Sequence, residues 1–383
     1  MILKTKPATK EARIIDFLII GGGPSGMSCA IALKRKYYQS RITILEKATL
    51  GRKIKVSGNG RCNIGHLISS NTQVYNDYDY QLKLLSPANQ VLYQQFLLET
   101  LNLITRNDNG LLYPYSKESQ TVLDSYLKCL SFFHINIVYE EVTQILEEEN
   151  AIFEVVTTQN HYLARKVILA MGSPAYQTTN QYSFLAPYFQ AKKIQMKEFL
   201  PGLSGYQIST NISQLNGLRL TAKVSLVKSE VVIFSEVGEV QFKADGISGI
   251  VIMNSSNTYQ RLLNKKNTKV RLDLIYDLDN KLSLEAIINS LDKKLIAYLT
   301  KNYLTINRYL LQNWELSIKD TYDFSAAQIA IGGICLDEIS DSYEFKKIKG
   351  LYAIGELLDV DGLCGGYNLM HAILSGLILA AKV

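Results

Sequence analysis

Cysteine is scarce in this 383-residue chain, and what there is lies scattered. The five cysteines, Cys29, Cys62, Cys129, Cys335 and Cys364, are odd in number, far apart and never spaced Cys-x-x-Cys. That argues against a disulfide framework and a dithiol redox motif, and for a reducing compartment. Histidine is equally sparse: His66, His134 and His161 stand alone, so no metal-ligand spacing is present and no metal site is expected. Long apolar runs are missing as well. "MILKTKPATKEARIID" has no signal-peptide core, and "NLMHAILSGLILAA" is too short to span a bilayer comfortably and carries His371. The reading is a cytoplasmic protein with no membrane partner and a buried C-terminal helix. There is no block of like charge either. The formal charge of +6 is spread through short groups such as "LKRK" and "NKKNTKVR", so a nucleic-acid partner is not expected. Nothing in the composition sets an oligomeric state.

What is present describes a folded globular chain: 47% hydrophobic and 20% charged residues, with length enough for two or three domains. "RIIDFLIIGGGPSGMSCAIALKRK" starts with an apolar, β-branched run over 14–20, suited to a strand buried on both faces. Gly21, Gly23 and Gly26 follow in G-x-G-x-x-G spacing, with Pro24 and Ser25 at the start of a helix. A second strand, "RITIL", ends at Glu46 and Lys47, Glu46 standing 20 residues after Gly26. This is one βαβ unit. Its first glycine makes the turn, its second admits a pyrophosphate, and its third lets helix and strand pack. The helix N-terminus favours the phosphate charge, and Glu46 accepts from ribose hydroxyls. A dinucleotide site follows.

The segment "GRKIKVSGNGRCNIGH" decides which dinucleotide. Read as a loop, it returns to glycine at 51, 58 and 60 and carries Arg52, Lys53 and Arg61 with Ser57, Asn59 and Asn63. Such a loop suits a backbone folded closely over a long anionic cofactor. Near the chain end, "GLYAIGELLDVDGLCGGYNLMHAILSG" presents Gly355-Glu356 at a strand end. Gly365-Gly366 then open a helix from Tyr367. A Gly-acid pair at a strand end suits a ribityl chain, which nicotinamide cofactors lack. A glycine-led helix start suits negative charge on a reduced flavin. FAD is therefore the expected cofactor. A further strand, "VILA", brings Ala170 and Gly172 beside it, and 139–145 is expected as the adjacent edge, with Val142 backbone at the adenine.

Together these residues resemble the BaiN/YhiN-type NAD(P)/FAD-dependent oxidoreductase family, which includes aminoacetone oxidase-like flavoproteins. The matching segments are "DFLIIGGGPSGMSCA", "SGNGRCN", "NGLLYPYS", "GEVQFKADGISG", "IAIGGICLDEI" and "GLYAIGELLDVDGLCGGYNL", in family order over nearly the whole chain. The resemblance implies an α/β fold with a Rossmann-like FAD-binding domain of glutathione-reductase type. That domain is discontinuous (1–190 and 326–383), with an inserted mixed β/α substrate or cap domain over 191–325. It implies FAD contacts at Gly21, Gly23, Gly26, Glu46, Lys53, Ser57, Gly60, Arg61, Asn63, Gly355, Glu356, Gly366, Tyr367, Asn368 and Leu369. Gly58 and Cys62 lie within the same matching segment. The chain departs from the family at "MGSPAYQTTNQYSF", which keeps one glycine of a usual pair. It departs again after "GGYNL", where His371 and Ile373 stand in place of tryptophans.

In the insert, "LRLTAKVSL" alternates as a strand with one face buried, "VVIFSEVGEVQF" reads as a hairpin, and Leu284, Ile287, Ile288, Leu291 and Leu295 keep helical spacing. His371 is the candidate acid or base, three residues after Asn368, against a packed histidine. Cys62 and Cys364 sit in the two flavin loops, as a redox pair or as buried small residues. The tyrosines of "VYNDYDY" and Tyr113 suit an aromatic pocket or the core. The expected activity passes a hydride or electron pair between a small organic substrate and flavin N5. The enzyme is either an NAD(P)H-fed reductase or an amine or amino-ketone oxidase. A flavin-bearing RNA-associated protein and a non-catalytic flavin-binding interaction protein are the other readings.

Overall fold

The computed structural model describes residues 14–67, 72–148, 151–175 and 184–383. The leader reading of residues 1–13, and the 176–183 part of the loop after Ala175, lie outside the described residues. The chain forms two compact units. One runs to Ser173 and includes 184–198 and Gly332–Val383; the other is essentially Phe199–Ile331.

The first unit is built on a parallel sheet. In spatial order its strands are Asn136–Val138, Ile42–Leu45, Ile15–Ile20, His161–Leu169 and Leu351–Ala353, so both ends of the chain enter one sheet. Phe17 to Ile20 are buried, as an apolar run in a two-face-covered parallel strand requires. The strand beside Ile42–Leu45 is Asn136–Val138, with Leu45 paired to Val138. Of the stretch 139–145, expected as an edge, residues from Val142 onward lie in the outermost strand of the sheet, Val142–Glu148, and 139–141 lie in no strand. That strand belongs to an antiparallel meander, which joins the sheet through Ile152–Thr157 and the first half of His161–Leu169.

Two helices, Pro24–Lys36 and Tyr367–Lys382, pack closely against each other. The close approach rests on Gly376, where a Cβ would lie 2.5 Å from the Ser25 carbonyl oxygen and 3.0 Å from the Cys29 amide. The C-terminal helix is 16 residues long, and Leu374, Leu377 and Leu379 in it are almost wholly buried. Each contributes roughly 1.5–3 kcal/mol through apolar burial. No helix among the described residues is long and apolar enough to cross a membrane.

The second unit contains a closed six-stranded barrel of Tyr206–Ile208, Gly246–Ser248, Val231–Phe242, Arg219–Lys228, Thr268–Asp273 and Trp314–Thr321. Its core is packed side chain: Ala222, Val224, Leu226, Val270 and Leu272 are fully buried, and Phe242 stacks on Trp314 at 5.7 Å. "VVIFSEVGEVQF" is not a hairpin but one 12-residue strand, paired along its length with Arg219–Lys228. Gly238 makes no turn. It lets the helix Ile250–Gln260 approach, since a Cβ there would sit 3.1 Å from Val251 Cβ. The helical spacing over 284–295 likewise covers two helices, Leu284–Ser290 and Lys293–Asn302. Asp292 starts the second by accepting from the Lys294 and Leu295 amides at 2.7 and 3.3 Å.

Candidate flavin-binding site

Strand Ile15–Ile20 ends at Gly21, whose φ of 112° and contact with the Ala170 carbonyl exclude any side chain. A Cβ on Gly26 would lie 2.1 Å from the Gly21 carbonyl oxygen, so the third glycine seals the turn onto the helix. Gly23 is different. Its backbone is extended, and a Cβ there would meet nothing within 4 Å. The helix it caps has Pro24 in its first turn, no side-chain cap and no acidic residue there. Open space ahead of uncapped helix N–H groups is the surface a pyrophosphate needs.

Glu46 is fixed by its own chain. Its Oε2 accepts from the Gly22 amide at 2.8 Å and its Oε1 from the Ala48 amide at 2.9 Å. Remaining lone pairs are available to ribose hydroxyls. The Lys47 ammonium stands 4.0 Å from the Glu141 carboxylate.

The basic segment is not wholly loop. Arg52–Val56 is a five-residue helix, pinned by buried Ile54 and entered through Gly51 at φ 63°. A tight turn at 57–60 follows, with Gly58 and Asn59 in the left-handed region and Gly60 at φ 82°. Ser57 Oγ donates to the Ile54 carbonyl at 2.7 Å, closing the helix, while Gly58, Gly60 and Arg61 are exposed. Lys53 joins three distant segments: its Nζ donates to Ser173 Oγ at 2.9 Å and forms an ion pair with Glu356. Ser173 is a participant that sequence reasoning missed, although it directly follows Gly172. At Gly172 (φ 72°) a Cβ would also meet nothing within 4 Å.

The chain end closes the constellation. A Cβ on Gly355 would lie 2.6 Å from Ser25 Oγ, so Gly355-Glu356 rests against the glycine-turn helix. Gly366, at φ 87°, is wedged against Asn63 Oδ1 and Gly65. The helix it opens has neither side-chain cap nor acid in its first turn. Asn368 uses its side chain to staple the preceding turn, Oδ1 accepting from the Gly362 amide at 2.8 Å and Nδ2 donating to the Gly362 carbonyl at 3.0 Å. Tyr367 stacks on His66 at 4.9 Å, and its carbonyl accepts from Tyr75 Oη at 2.7 Å. Leu369 belongs to the same helical turn.

His371 is 1% exposed, its Nε2 3.0 Å from Tyr80 Oη, which is 2.8 Å from Tyr343 Oη. Burial lowers its pKa to about 3, so the ring is neutral at physiological pH, with one ring N–H and one acceptor nitrogen. Tyr75 and Tyr80 thus pack against the C-terminal helix, while Tyr78 is exposed. Cys62 is buried, and its thiol is pushed up to about 11 by burial; none of the five cysteines is in a disulfide. Among the described residues no cluster could hold a metal ion.

The fit to FAD is good: two uncapped helix starts, glycines opening onto empty space, a fixed acid at a strand end and a cation in the basic segment. Residues 15–382 match the HI0933-like protein Rossmann domain. The chain belongs to this family. It is 29% identical to the 3-dehydro-bile acid delta(4,6)-reductase of Clostridium scindens, over 94% of this chain and 96% of that one. It is 23% identical to the ribosomal RNA dihydrouridine synthase of Haemophilus influenzae, over 96% and 98%. Among solved structures, the 3-ketosteroid delta1-dehydrogenase of Sterolibacterium denitrificans superposes with a TM-score of 0.52 at 12% identity, covering 96% and 98% of the two chains. That likeness is one of fold. This HI0933-like chain is an oxidoreductase with a Rossmann-like flavin-binding domain, as its resemblance to the BaiN/YhiN-type flavoproteins implied, and its second unit contains a closed barrel.

Proposed function

We propose that this chain is an FAD-dependent reductase, fed by NAD(P)H, of a carbon–carbon double bond conjugated with a carbonyl in a small ring-bearing molecule. The full-length relative named as a bile acid reductase carries this reading. A delta(4,6) 3-dehydro compound has its double bonds conjugated with a ketone. The name of the 23% relative implies the same chemistry, since a dihydrouridine has gained hydrogen across a double bond conjugated with the uracil carbonyl.

Bound FAD supplies the two-electron carrier that accepts a hydride from one substrate and gives it to another. The chain's part is binding and electrostatics. The first turn of Pro24–Lys36 and the open backbone at Gly23 take the pyrophosphate, and Glu46 takes the adenosine ribose. Glu356, held by Lys53, suits ribityl hydroxyls, and the first turn of Tyr367–Lys382 favours negative charge on the reduced ring. A small molecule is favoured over RNA because three cations of the barrel strands are tied to acids. Lys269 and Arg271 bond Glu315 at 2.9 and 2.8 Å, and Arg219 bonds Glu239 at 3.2 Å.

The test is anaerobic. NADH, NADPH and aminoacetone are added in turn to the flavin-loaded protein while its visible spectrum is followed. A conjugated enone steroid or uridine-containing ribosomal RNA is then added to the reduced form. Bleaching by a nicotinamide and recolouring by the enone is the expected result. Bleaching by aminoacetone alone makes the protein an oxidase, recolouring only by RNA makes it an RNA reductase, and a flavin inert to every addition makes it non-catalytic.

A further inference from the structure

The second unit holds a cavity of about 680 Å³ whose wall includes Leu200, Pro201, Gln260, Lys265, Tyr322 and Phe324. Two glycines seat its aromatic wall: a Cβ on Gly205 would lie 3.0 Å from the Tyr322 ring, and one on Gly246 would lie 2.5 Å from Tyr322 Oη. Tyr322 Oη donates to Asp245 Oδ1 at 2.7 Å, and the Lys243 ammonium stands 4.8 Å from its ring centre. With its hydroxyl hydrogen committed, Tyr322 offers ring rather than a donor.

The donor is elsewhere. Gln260 is 4% exposed; its Nε2 donates to Thr321 Oγ1 at 2.6 Å and its Oε1 accepts from Lys265 Nζ. Lys265 also lies 5.0 Å from the Tyr259 ring centre. An ammonium has three N–H groups, and a buried carboxamide that fixes one of them aims the rest. Asp320 and Asp323 also line the cavity, with carboxylates that accept from neighbouring amides at 2.8 and 3.0 Å. With Asp245, Asp320 and Asp323 set against Lys243 and Lys265, three carboxylates to two ammoniums disfavour an anion and leave a neutral carbonyl oxygen as the acceptor.

Resting on the reductase reading above, we propose that this cavity binds the carbonyl end of a neutral, flat, ring-bearing enone. Lys265 donates to the carbonyl oxygen, and Tyr322 and Phe324 cover the ring. A cation at that oxygen polarises the enone and draws electron density from the far carbon of its conjugated double bond.

The test uses the flavin-loaded protein and a 4-en-3-one steroid carrying 13C at its carbonyl. Binding is expected to move the carbonyl resonance downfield. K265M is expected to abolish that movement and weaken binding about tenfold, while K265R retains it. Y322A is expected to weaken binding with the shift intact. Thermal melts of each variant report folding. A K265M protein that binds with unchanged affinity and an unchanged shift overturns the assignment, and does so whether or not the enzyme reduces the enone. Failure of the wild-type protein to bind the steroid, with binding of uridine-containing RNA that K265M weakens, also overturns it. Loss of the reductase reading shows separately, as a flavin that no nicotinamide bleaches.

Discussion

Glu46 accepts a hydrogen bond from the Gly22 amide at 2.8 Å, so the acid that ends the second strand is tied directly to the turn that ends the first. The two halves of the dinucleotide signature are one structural unit, so a ribose at Glu46 and a pyrophosphate at the glycine turn would be held in one frame. Replacing the carboxylate with a carboxamide keeps an acceptor for Gly22, removes the charge and turns an NH2 toward the Ala48 amide. E46Q is expected to weaken FAD binding about 10- to 100-fold, the range for hydrogen bonds to a charged group. Titrating apoprotein with FAD and following flavin fluorescence measures it. An unchanged affinity would remove Glu46 from the site.

Gly23 and Gly26 separate binding from folding. A methyl at Gly26 collides with the Gly21 carbonyl at 2.1 Å, whereas one at Gly23 meets no protein atom within 4 Å. G26A is expected to destabilise the apoprotein by roughly 1–3 kcal/mol, as overpacking does. G23A is expected to leave the urea midpoint of the apoprotein nearly unchanged and to weaken FAD binding more than tenfold, because its methyl fills the space a pyrophosphate would occupy. If G23A binds FAD normally, that space serves something else.

This contrast shows why some of the molecule was legible in the sequence. The strand, turn, helix and acid around Gly21–Glu46 are set by short-range geometry, so spacing along the chain reports them. Gly238 looks identical in composition to a hairpin glycine, yet its role is set by Val251 packing across the strand. Asp292 broke a helical period because its side chain bonds two following amides, which periodicity of apolar residues does not register. The partners that build the site from afar were invisible for a related reason. Lys53 and Glu356 are 303 residues apart, and Tyr80 and Tyr343 are 263 apart. Tyr343 even adopts φ 65°, a conformation that an aromatic residue rarely takes and that no local pattern announces.

The buried triad of His371, Tyr80 and Tyr343 makes acid stability a direct readout of its burial. His371 has its pKa lowered from 6.5 to about 3 because burial disfavours the imidazolium. Below pH 6.5 the unfolded chain binds a proton at this residue that the folded chain does not. Stability from the neutral ring is therefore complete above that pH and is lost as pH falls toward 3. The slope approaches about 1.4 kcal/mol per pH unit for this group. H371F removes the proton-binding site but leaves Tyr80 Oη without its imidazole partner. At pH 7 it is expected to be less stable than wild type by about 1–3 kcal/mol. Between pH 6 and 4, values set by the window just derived, its urea midpoint is expected to fall less steeply than that of wild type, so the two curves converge. Parallel curves would mean that His371 titrates normally in the folded protein, and the packing role assigned to it would then fail.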